Sequence, residues 1–489
     1  MIKEEHKKII DDLWQLLNDG ERTWLAGYVN GRAQGVVAES ATVPAASSTT
    51  LHIYYATETG NTKAVAQQVE KKARTLGLKT RLLPLGKVKP ADLSALKDPA
   101  VFLSSTHGEG DPPEMARSFF TALGAAKDLQ LPSLRYAVLG LGDRSYKQFC
   151  SAAENIHAAL AKAGAIAFHD KLMLDVDYAS HISGWIESLL SKLEPAAATV
   201  PATAHAVEEV EATLGFSRLE PLTGEVKDIL ILNDRGSQKK TFHIEIGFEG
   251  RLAYAPGDAA GIIVPAQPDG QVPAPRLYSI ASSPLRNAQE VHLTVALARH
   301  TLPDGKIGYG LCSHFLSQKK VGDRLQFYIQ RNRRFRLPAN DDSDIIMIGP
   351  GTGIAPFRAF MHDRFERGAS GRNWLFFGDQ RAHCDFLYQL EWQEMLENGA
   401  LTRCDVAFSR DRKHKVYVQH KLQENAREVY QWLDRGARIY VCGAKSPMSE
   451  DVEATLLSII EKQGGKDRDT ARAWLDQLAE DDRYVKDVY

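Results

Sequence analysis

The chain has 489 residues, 44% hydrophobic and 25% charged, which is typical of a globular protein with about three domains of ordinary size. Its net charge of −2 gives no overall positive field for nucleic acid, and no apolar run reaches the roughly 18 residues that cross a bilayer. The five scattered cysteines include no CxxC pair, so we expect neither a metal site nor a disulfide framework, and a cytoplasmic location.

Residues 1–35 carry apolar side chains at helical spacing, which predicts two short amphipathic helices. Because so short a segment cannot bury its own apolar faces, we expect it to serve in assembly, with another protein or with copies of itself. Residues 36–50 are rich in Ala, Pro, Ser and Thr and are predicted to be a linker. A second stretch of the same character, residues 194–215, predicts a second linker.

Residues 51–193 alternate helical patterns with five apolar runs, which predicts a doubly wound parallel sheet. In such a sheet, ligands bind beyond the carboxyl ends of the strands. The loop "TETGNT" (57–62) follows the first run. Its hydroxyls, Gly60 and the free N–H groups of the next helix suit a phosphate, and because the loop has no Lys or Arg the backbone dipoles carry the binding. Taken alone, the loop is equally consistent with simple capping of the helix by Thr and Asn.

Two further glycine-rich turns, "STHGEGDPP" (105–113) and "LGLGDRSYKQFC" (139–150), follow the third and fourth strands, where Tyr146 can stack on a flat heterocycle. Together the three loops resemble those of the flavodoxin-like FMN domain of diflavin reductases. The resemblance implies that the first loop holds the FMN phosphate and that the others flank the isoalloxazine. His107 is a departure, since many relatives have an aromatic residue there. The candidate FMN residues are Thr57, Glu58, Thr59, Gly60, Asn61, Thr62, Ser105, Thr106, His107, Gly108, Leu141, Gly142, Asp143, Tyr146, Phe149 and Cys150.

Residues 216–338 hold strands of period two broken by Gly, Pro and Asp, which predicts an antiparallel β-barrel. The motif "RLYSIASSP" (276–284) resembles the FAD motif of the ferredoxin–NADP reductase family, the alternative being an ordinary exposed strand. The resemblance implies that Arg276 meets the FAD diphosphate, Tyr278 packs on the flavin and Ser279 lies near its reactive nitrogen.

Two more segments of the predicted barrel match the same family. "YGLCSHFL" (309–316) matches a second diphosphate segment, and "LTVA" (293–296) matches a strand beside the flavin. The candidate FAD residues are Arg276, Leu277, Tyr278, Ser279, Thr294, Val295, Ala296, Gly310, Leu311, Cys312 and Ser313.

Residues 339–489 return to α/β alternation, and "IGPGTGIAPFRAF" (348–360) has the pattern strand, glycine turn, helix. After an FAD barrel, this pattern predicts a dinucleotide pyrophosphate site that includes Gly351 and Thr352. The segment "FSRDRKHKVYVQ" (408–419) supplies the guanidinium, ammonium and hydroxyl groups that suit a 2′-phosphate, which favours NADPH over NADH. A solvated basic surface is the alternative. The candidates are Ser409, Arg410, Lys415, Tyr417, Gln419 and Asp451.

The same resemblance implies that Ser279, Cys442 and Asp487 lie near the nicotinamide and assist hydride transfer. It also implies that the terminal Tyr489 stacks on the FAD ring and moves before the nicotinamide can replace it. Without the resemblance, a cysteine at a strand end such as Cys442 is more often a small buried apolar residue.

The predicted architecture is a helical segment, a flavodoxin-like doubly wound domain, and a ferredoxin–NADP reductase-like module made of a β-barrel and an α/β domain. Resemblance to diflavin reductases covers residues 51–489 and implies electron flow from NADPH to FAD to FMN. Most such reductases insert a helical connecting domain of roughly a hundred residues where this chain has only residues 264–275.

Within the family, the terminal "DVY" and "TWLAGYVNGRAQG" (23–35) resemble the branch that serves assimilatory sulfite reduction. The predicted partner is therefore the sirohaem and iron–sulfur haemoprotein of sulfite reductase. The alternatives are a self-contained NADPH diflavin reductase with a different haem or small redox-protein acceptor, and a non-enzymatic electron carrier. The carrier would need a dead NADPH site, whereas the motif is intact.

Overall fold

The computed structural model describes residues 49–193 and 218–489, except residues 109, 127, 145, 251, 268, 269, 271 and 303. The predicted helices of residues 1–35, the linker 194–215 and all but the end of the linker 36–50 lie outside the described residues. In the described part of the chain, no helix is both long and apolar enough to cross a membrane.

The first unit is a parallel sheet with helices on both faces. Its strands are β1 (Thr50–Ala56), β2 (Lys79–Pro84), β3 (Ala100–Ser105), β4 (Arg135–Leu141), β5 (Ile166–Ala167) and β6 (Leu172–Leu174). Its helices are α1 (Asn61–Thr75), α2 (Arg117–Ala125), α3 (Ser151–Lys162) and α4 (Ala179–Ser191). The strand order is β2-β1-β3-β4-β5, with β6 also paired to β4. Both faces bear apolar clusters, as expected for a parallel sheet covered on two sides.

The fifth apolar run was predicted as one strand, and in this detail the prediction was wrong. Tyr136 of β4 pairs with Ala167 and Leu139 pairs with Leu172, so four residues of the last run lie opposite two residues of β4. The surplus residues cannot stay in register, and the run divides into β5 and β6. The loops after β1, β3 and β4 still emerge at the same edge of the sheet.

The second unit is an antiparallel barrel. Its strands are β7 (Leu222–Ile231), β8 (Thr241–Gly247), β9 (Ala259–Ile263), β10 (Arg276–Ser279), β11 (Glu290–Ala296), β12 (Arg299–Thr301), β13 (Ile307–Tyr309) and β14 (Arg324–Gln330), and its helix is α5 (Leu311–Ser317). Six strands follow the order β10-β9-β14-β7-β8-β11. A bridge between Ile280 and Leu293 joins the two ends of this path. Strands β12 and β13 form a separate hairpin, and residues 264–275 alone connect β9 to β10.

The third unit is a five-stranded parallel sheet in the order β17-β16-β15-β18-β19. Its strands are β15 (Ile345–Ile348), β16 (Asn373–Asp379), β17 (Arg403–Phe408), β18 (Arg438–Gly443) and β19 (Tyr484–Val488). Its helices are α6 (Ala355–Glu366), α7 (Ala382–Asp385), α8 (Gln389–Glu397), α9 (Val418–Glu424), α10 (Ala426–Asp434), α11 (Glu450–Gly464) and α12 (Arg468–Glu480). The C-terminal segment forms the edge strand β19, which pairs with β18 and brings Asp487 beside Cys442.

A buried polar network joins the barrel to the third unit. The Tyr388 hydroxyl lies 3.0 Å from His243 Nδ1 and 2.7 Å from Thr294 Oγ1, two side chains of neighbouring barrel strands. Arg358 of α6 donates to the carbonyl of Ala281 at 2.9 Å. These contacts cross between the two units, so the barrel and the parallel sheet form one module. We call it the reductase module, residues 218–489, and call residues 49–193 the flavodoxin unit.

Candidate functional site

The loop after β1 has the features of an anion site. The hydroxyl of the buried Thr57 accepts a hydrogen bond from the Gly60 N–H at 2.9 Å, and Gly60 has φ +87°, a left-handed conformation that favours glycine. Thr62 Oγ1 is buried and has no hydrogen-bond partner in the described structure. A buried hydroxyl without a partner is costly, and a phosphate at the start of α1 would satisfy it.

The capping alternative for this loop does not hold. The residue that caps α1 is Gly60, and no side chain in the described structure caps the helix. The Asn61 amide instead donates to Thr59 Oγ1 at 3.2 Å, within the loop. The first N–H groups of α1 are therefore left for a ligand.

The second predicted loop is a tight turn after β3. The backbones of His107 and Asp111 exchange two hydrogen bonds of 2.8 Å, and Gly108 has φ +53°. Thr106 Oγ1 accepts a hydrogen bond from the Ala152 N–H at 3.2 Å, which ties the turn to α3. Ser105 Oγ is buried and lacks a partner among the described residues. The turn thus has a second unsatisfied hydroxyl at the same sheet edge as Thr62.

The third predicted loop, 139–150, ends at a buried cysteine. Cys150 has φ +53°, and a Cβ placed on Gly142 would lie 2.8 Å from its sulfur, so the glycine is needed for this close packing. Burial raises the pKa of the Cys150 thiol to about 12, so this cysteine is protonated and packs as an apolar residue. Tyr146 is half-buried, and Phe149 lies under the Arg144 guanidinium at 4.5 Å.

The predicted FAD strand β10 lies at the surface of the barrel. Arg276 and Leu277 are exposed, whereas Tyr278 and Ser279 are half-buried. The Tyr278 hydroxyl interacts with the thiol of Cys312, whose pKa is raised to about 11, mainly by burial. The motif strand and the start of α5 are therefore joined, which brings together the two segments that were predicted to meet the FAD diphosphate.

Other predicted FAD residues are already engaged within the protein. Ser313 Oγ donates to the Gly310 carbonyl at 3.0 Å and accepts from the Ala298 N–H at 3.1 Å. The buried Thr294 hydroxyl is held by Tyr388, and Val295 lies in the barrel core. On β11 only Ala296 is exposed, so any contact of Thr294 or Val295 with a cofactor would be through the backbone.

The three residues predicted to lie near the nicotinamide meet at one carboxylate. The Ser279 hydroxyl donates to Asp487 Oδ2 at 3.1 Å, and Cys442 Sγ lies 4.0 Å from the same oxygen. Burial, together with the charge of Asp487, holds the pKa of Cys442 well above its usual value. Burial also raises the pKa of Asp487, while its hydrogen bond with Ser279 acts in the opposite direction. Cys442 is therefore a protonated thiol and not a nucleophile.

The C-terminal residue is held by its backbone and has an exposed side chain. The Tyr489 N–H donates to the Gly443 carbonyl at 3.1 Å, and its own carbonyl accepts from the Lys445 N–H at 3.0 Å. The phenol is 63% exposed and its oxygen lies 2.9 Å from Thr352 Oγ1, in the predicted pyrophosphate turn. A fixed backbone with an exposed ring suits a side chain that moves while the strand stays in place.

The predicted pyrophosphate turn packs closely against Cys442, one of the residues predicted to lie near the nicotinamide. A Cβ on Gly353 would lie 2.1 Å from the Cys442 carbonyl oxygen, so only glycine allows this approach. Gly351 has φ +58°, a second position that favours glycine. The turn continues into α6.

The predicted 2′-phosphate residues lie at the end of β17 and in the loop that leads to α9. Arg410, Lys415 and Tyr417 are exposed, whereas Ser409 is half-buried, with its N–H bonded to the Asp379 carbonyl at 2.9 Å. Arg410 donates to the side chain of Gln238, on the barrel, at 2.8 Å. In addition, Gln419 donates to Asp451 at 3.0 Å, which brings these two candidates together.

Comparison with known proteins decides the family. The flavodoxin family model matches residues 53–185, and the oxidoreductase NAD-binding domain model matches residues 347–454. The chain is 33% identical to the sulfite reductase [NADPH] flavoprotein alpha-component of Bacillus subtilis over 599 positions, covering 99% of this chain and 98% of the relative. The same component of Vibrio cholerae is 34% identical, with coverage of 97% and 94%. That of Aliivibrio fischeri is 33% identical, with coverage of 97% and 96%.

The chain belongs to the diflavin reductase family. It is a flavoprotein oxidoreductase of the kind represented by these alpha-components, as the sequence predicted. Its fold is a flavodoxin-like unit followed by a ferredoxin–NADP reductase-like module. The B. subtilis alignment spans 599 positions against 489 residues here, so about 110 aligned positions have no counterpart in this chain.

The family's cofactors, FMN, FAD and a nicotinamide dinucleotide, fit the residues present. The unsatisfied hydroxyls of Thr62 and Ser105 suit FMN in the flavodoxin unit. The pyrophosphate turn is open at Gly351, where a Cβ would meet only the Asp379 carboxylate, at 4.0 Å, so a pyrophosphate fits on this side of the turn in the third unit. A metal ion fits the described residues less well than these cofactors do. Ligand atoms of His243, Glu245 and His292 lie within 4.8 Å of one another, yet the ring nitrogens of the two histidines already have hydrogen-bond partners. The Arg358 guanidinium also lies 3.2 Å from His292 Nδ1.

The flavodoxin unit of this diflavin reductase docks against the reductase module with its predicted FMN loops inward. Lys87 pairs with Glu480 at 2.7 Å, and Asp111 pairs with Lys445 at 3.3 Å. Two residues of the first two loops, His107 and Glu58, act on the pKa of Asp487 in opposite directions, so these loops lie near Asp487. Residues of both parts, among them Glu58, His107 and Lys486, line a cleft of about 430 Å³.

Sequence reasoning missed the segment after β14, "RNRRFR" (331–336), which links the two sites. The Asn332 amide lies 3.4 Å from Asp487 Oδ1, and its own oxygen accepts hydrogen bonds from the N–H groups of Arg334 and Phe335. The Arg333 N–H donates to the Thr59 carbonyl at 2.9 Å. The only sequence signal was the density of arginine, which by itself indicates no more than an exposed basic surface.

Proposed function

We propose that this chain is the NADPH-dependent flavoprotein component of an assimilatory sulfite reductase. In this role it delivers electrons from NADPH to a sirohaem and iron–sulfur haemoprotein, which reduces sulfite to sulfide. The observation that carries the proposal is the position of the Ser279–Cys442–Asp487 cluster beside the loops of the flavodoxin unit. When bound, the flavins would supply the chemistry, namely acceptance of a hydride from NADPH by FAD and release of single electrons from FMN.

The cluster around Asp487 orients groups at the hydride site. Its carboxylate accepts from the Ser279 hydroxyl, which fixes that side chain on β10. The Cys442 thiol is protonated and buried, so it fills space and keeps water out without attacking the substrate. Asn332 donates to the second Asp487 oxygen and holds the carboxylate in place. Tyr489 covers the site from the side of the pyrophosphate turn.

The choice of NADPH over NADH rests on the 408–419 segment. Arg410 and Lys415 are exposed cations within one loop, and Ser409 offers a hydroxyl beside them. A dianionic 2′-phosphate gains charge-assisted hydrogen bonds from such groups, whereas the 2′-hydroxyl of NADH does not. The relatives are named as NADPH sulfite reductase components, which supports the same choice.

The acceptor and the cellular location complete the proposal. The relatives named as the flavoprotein alpha-component of sulfite reductase support a haemoprotein partner. We assign residues 1–35 to assembly, with that partner or with copies of this chain. The five free cysteines suit the reducing cytoplasm, where sulfate is assimilated.

The proposal is tested by coexpressing the chain with the haemoprotein of the same organism. We expect NADPH-dependent formation of sulfide only when both proteins are present, and reduction of cytochrome c by this chain alone. Variant Asp487→Asn should slow both reactions, while the surface variant Lys71→Ala should slow neither. If cytochrome c is reduced but sulfite is not turned over with the partner present, the acceptor is a different haem or redox protein.

A further inference from the structure

The predicted phosphate loop of the flavodoxin unit is short of positive charge. A bound FMN phosphate has a charge near −2 at neutral pH, by analogy with other phosphate monoesters. The loop 57–62 contains Glu58 and no Lys or Arg, and the first basic residue after it is Lys63, in the first turn of α1. The dipole of α1 offsets only about half a charge. A further cation near the loop would therefore strengthen phosphate binding.

The reductase module places two arginines, Arg333 and Arg334, against this loop. The Arg333 N–H donates to the Thr59 carbonyl at 2.9 Å, so the two chain segments touch. A Cβ built on Gly60 would lie 3.2 Å from Arg333 Cβ and 3.0 Å from Arg334 Cγ. The Arg333 side chain thus starts beside Gly60, which caps α1 and lies two residues before Thr62, whose hydroxyl is unsatisfied.

Arg333 and Arg334 differ in the contacts that their guanidinium groups make. Arg334 is engaged within the reductase module, with Nε 3.3 Å from Asp482 and Nη2 3.0 Å from the Ala479 carbonyl. Arg333 is exposed, and its guanidinium forms no ion pair or hydrogen bond with the residues that the structure describes. Burial raises the pKa of the half-buried Tyr178 of the flavodoxin unit, and the charges of Arg333 and Arg331 act in the opposite direction, so both arginines lie near that unit.

We propose that Arg333 binds the FMN phosphate from across the interface, so that the FMN site of this chain is completed by the reductase module. This rests on the proposed function in that FMN is the ligand. Arginine suits the role because its planar guanidinium donates to two phosphate oxygens at once. By linkage, FMN binding favours the docked arrangement, and docking tightens the hold on FMN by the same factor.

The test measures FMN affinity in the full-length protein. Wild type, Arg333→Ala and the control Arg324→Ala, an exposed arginine at the start of β14, are depleted of FMN but keep FAD. Each is titrated with FMN and with riboflavin, and the quenching of the fluorescence of the added flavin is followed. We expect Arg333→Ala to weaken FMN binding about tenfold, the scale of one charge-assisted hydrogen bond, and to leave riboflavin, which lacks the phosphate, unchanged. Arg324→Ala should change neither dissociation constant.

Three outcomes would overturn the proposal. In the first, Arg333→Ala binds FMN as tightly as wild type. In the second, it loses FMN and riboflavin equally, which would indicate a structural role. In the third, Lys63→Ala alone abolishes the preference for FMN over riboflavin. Circular dichroism and retained FAD content show that each variant is folded. If wild type itself binds FAD but no FMN, the proposed function is what fails.

Discussion

Asp487 lies at the centre of the candidate site and interacts with several of its residues. It accepts hydrogen bonds from Ser279 and Asn332, lies against the Cys442 thiol, and responds to charges of the flavodoxin unit. Resemblance to the family predicted three of these residues, because their motifs are local in sequence. Asn332 and Arg333 could not be found that way. Their roles come from contacts with residues more than a hundred positions away, and no local pattern marks such a contact.

We propose that side chains at the end of β17 and in the loop after it decide the choice of coenzyme. Arg410→Ala should raise the KM for NADPH about tenfold or more and leave the KM for NADH nearly unchanged, because only NADPH carries the 2′-phosphate. The measurement is steady-state reduction of ferricyanide with each coenzyme. Arg412→Ala, an exposed arginine of the same loop, is the matched control and should change neither KM. Equal increases for both coenzymes would contradict a 2′-phosphate site here.

The terminal ring is predicted to limit access of the nicotinamide. Removal of Tyr489 should narrow the preference for NADPH over NADH, because the weaker-binding coenzyme no longer has to displace a ring. Tyr489→Phe keeps the ring and loses only the hydrogen bond with Thr352, so its coenzyme preference should stay close to that of wild type. The ratio of kcat/KM values for the two coenzymes measures the effect. An unchanged ratio after removal of the whole residue would rule out the gating role.

The strands and helices follow the sequence pattern where burial is uniform. Strand β3, "AVFLSS", is buried along almost its whole length, as expected for an apolar run in a parallel sheet that is covered on two sides. The predicted fifth strand failed because four of its residues oppose two of β4, a matter of pairing that a single run of sequence does not reveal. The sequence pattern also does not reveal the interface between β8, β11 and the helices α6 and α8, because its histidines lie far apart in the sequence.

Because its histidines are buried, we expect that interface to lose stability in weak acid. Burial, with a smaller effect of the Arg358 charge, lowers the pKa of His243 and of His292 to about 4, although hydrogen bonds with Glu290 and nearby carboxylates act against this. In the unfolded chain these two histidines bind protons near pH 6.5, whereas in the folded chain they stay neutral. Their contribution to the free energy of unfolding is therefore fully present above pH 6.5 and is lost as the pH falls towards 4. Glu391, whose pKa is lowered to about 2, loses its contribution only below about pH 4.5.

Thermal unfolding between pH 7.5 and pH 5 checks this prediction. The Tm of wild type should fall by several degrees over that range, before most carboxylates titrate. Variant His243→Gln keeps a side chain that hydrogen-bonds but does not titrate, and its Tm should depend less on pH. The exposed His181→Gln is the control and should follow wild type. A wild-type Tm that is flat down to pH 5 would show that these histidines are not kept neutral by the fold.

At the scale of the whole molecule, the flavodoxin unit is docked in part by exposed ion pairs, which are individually weak. The ion pairs Lys87–Glu480 and Lys445–Asp111 are substantially exposed, and such pairs contribute about 1 kcal/mol or less each. Their attraction is screened within about 10 Å at 0.1 M salt. A third pair, Arg218–Asp143 at 3.3 Å, is less exposed. The docked form brings the predicted FMN loops close to the residues predicted to lie near the nicotinamide. The proposed delivery of electrons to a protein acceptor instead needs the flavodoxin loops to be accessible. An interface of low stability meets both needs, because the docked and released forms then differ little in free energy.

Salt and charge reversal should therefore open the molecule. We expect the radius of gyration from small-angle X-ray scattering to rise between 50 and 500 mM NaCl. Lys87→Glu should be expanded already at low salt, because a pair of about 1 kcal/mol changes the ratio of docked to open forms about fivefold. Lys71→Glu alters an exposed lysine of the same unit and controls for net charge. The double variant Lys87→Glu with Glu480→Lys restores opposite charges and should return to the wild-type radius. If all four proteins keep one radius at every salt concentration, electrostatic pairs do not hold the units together.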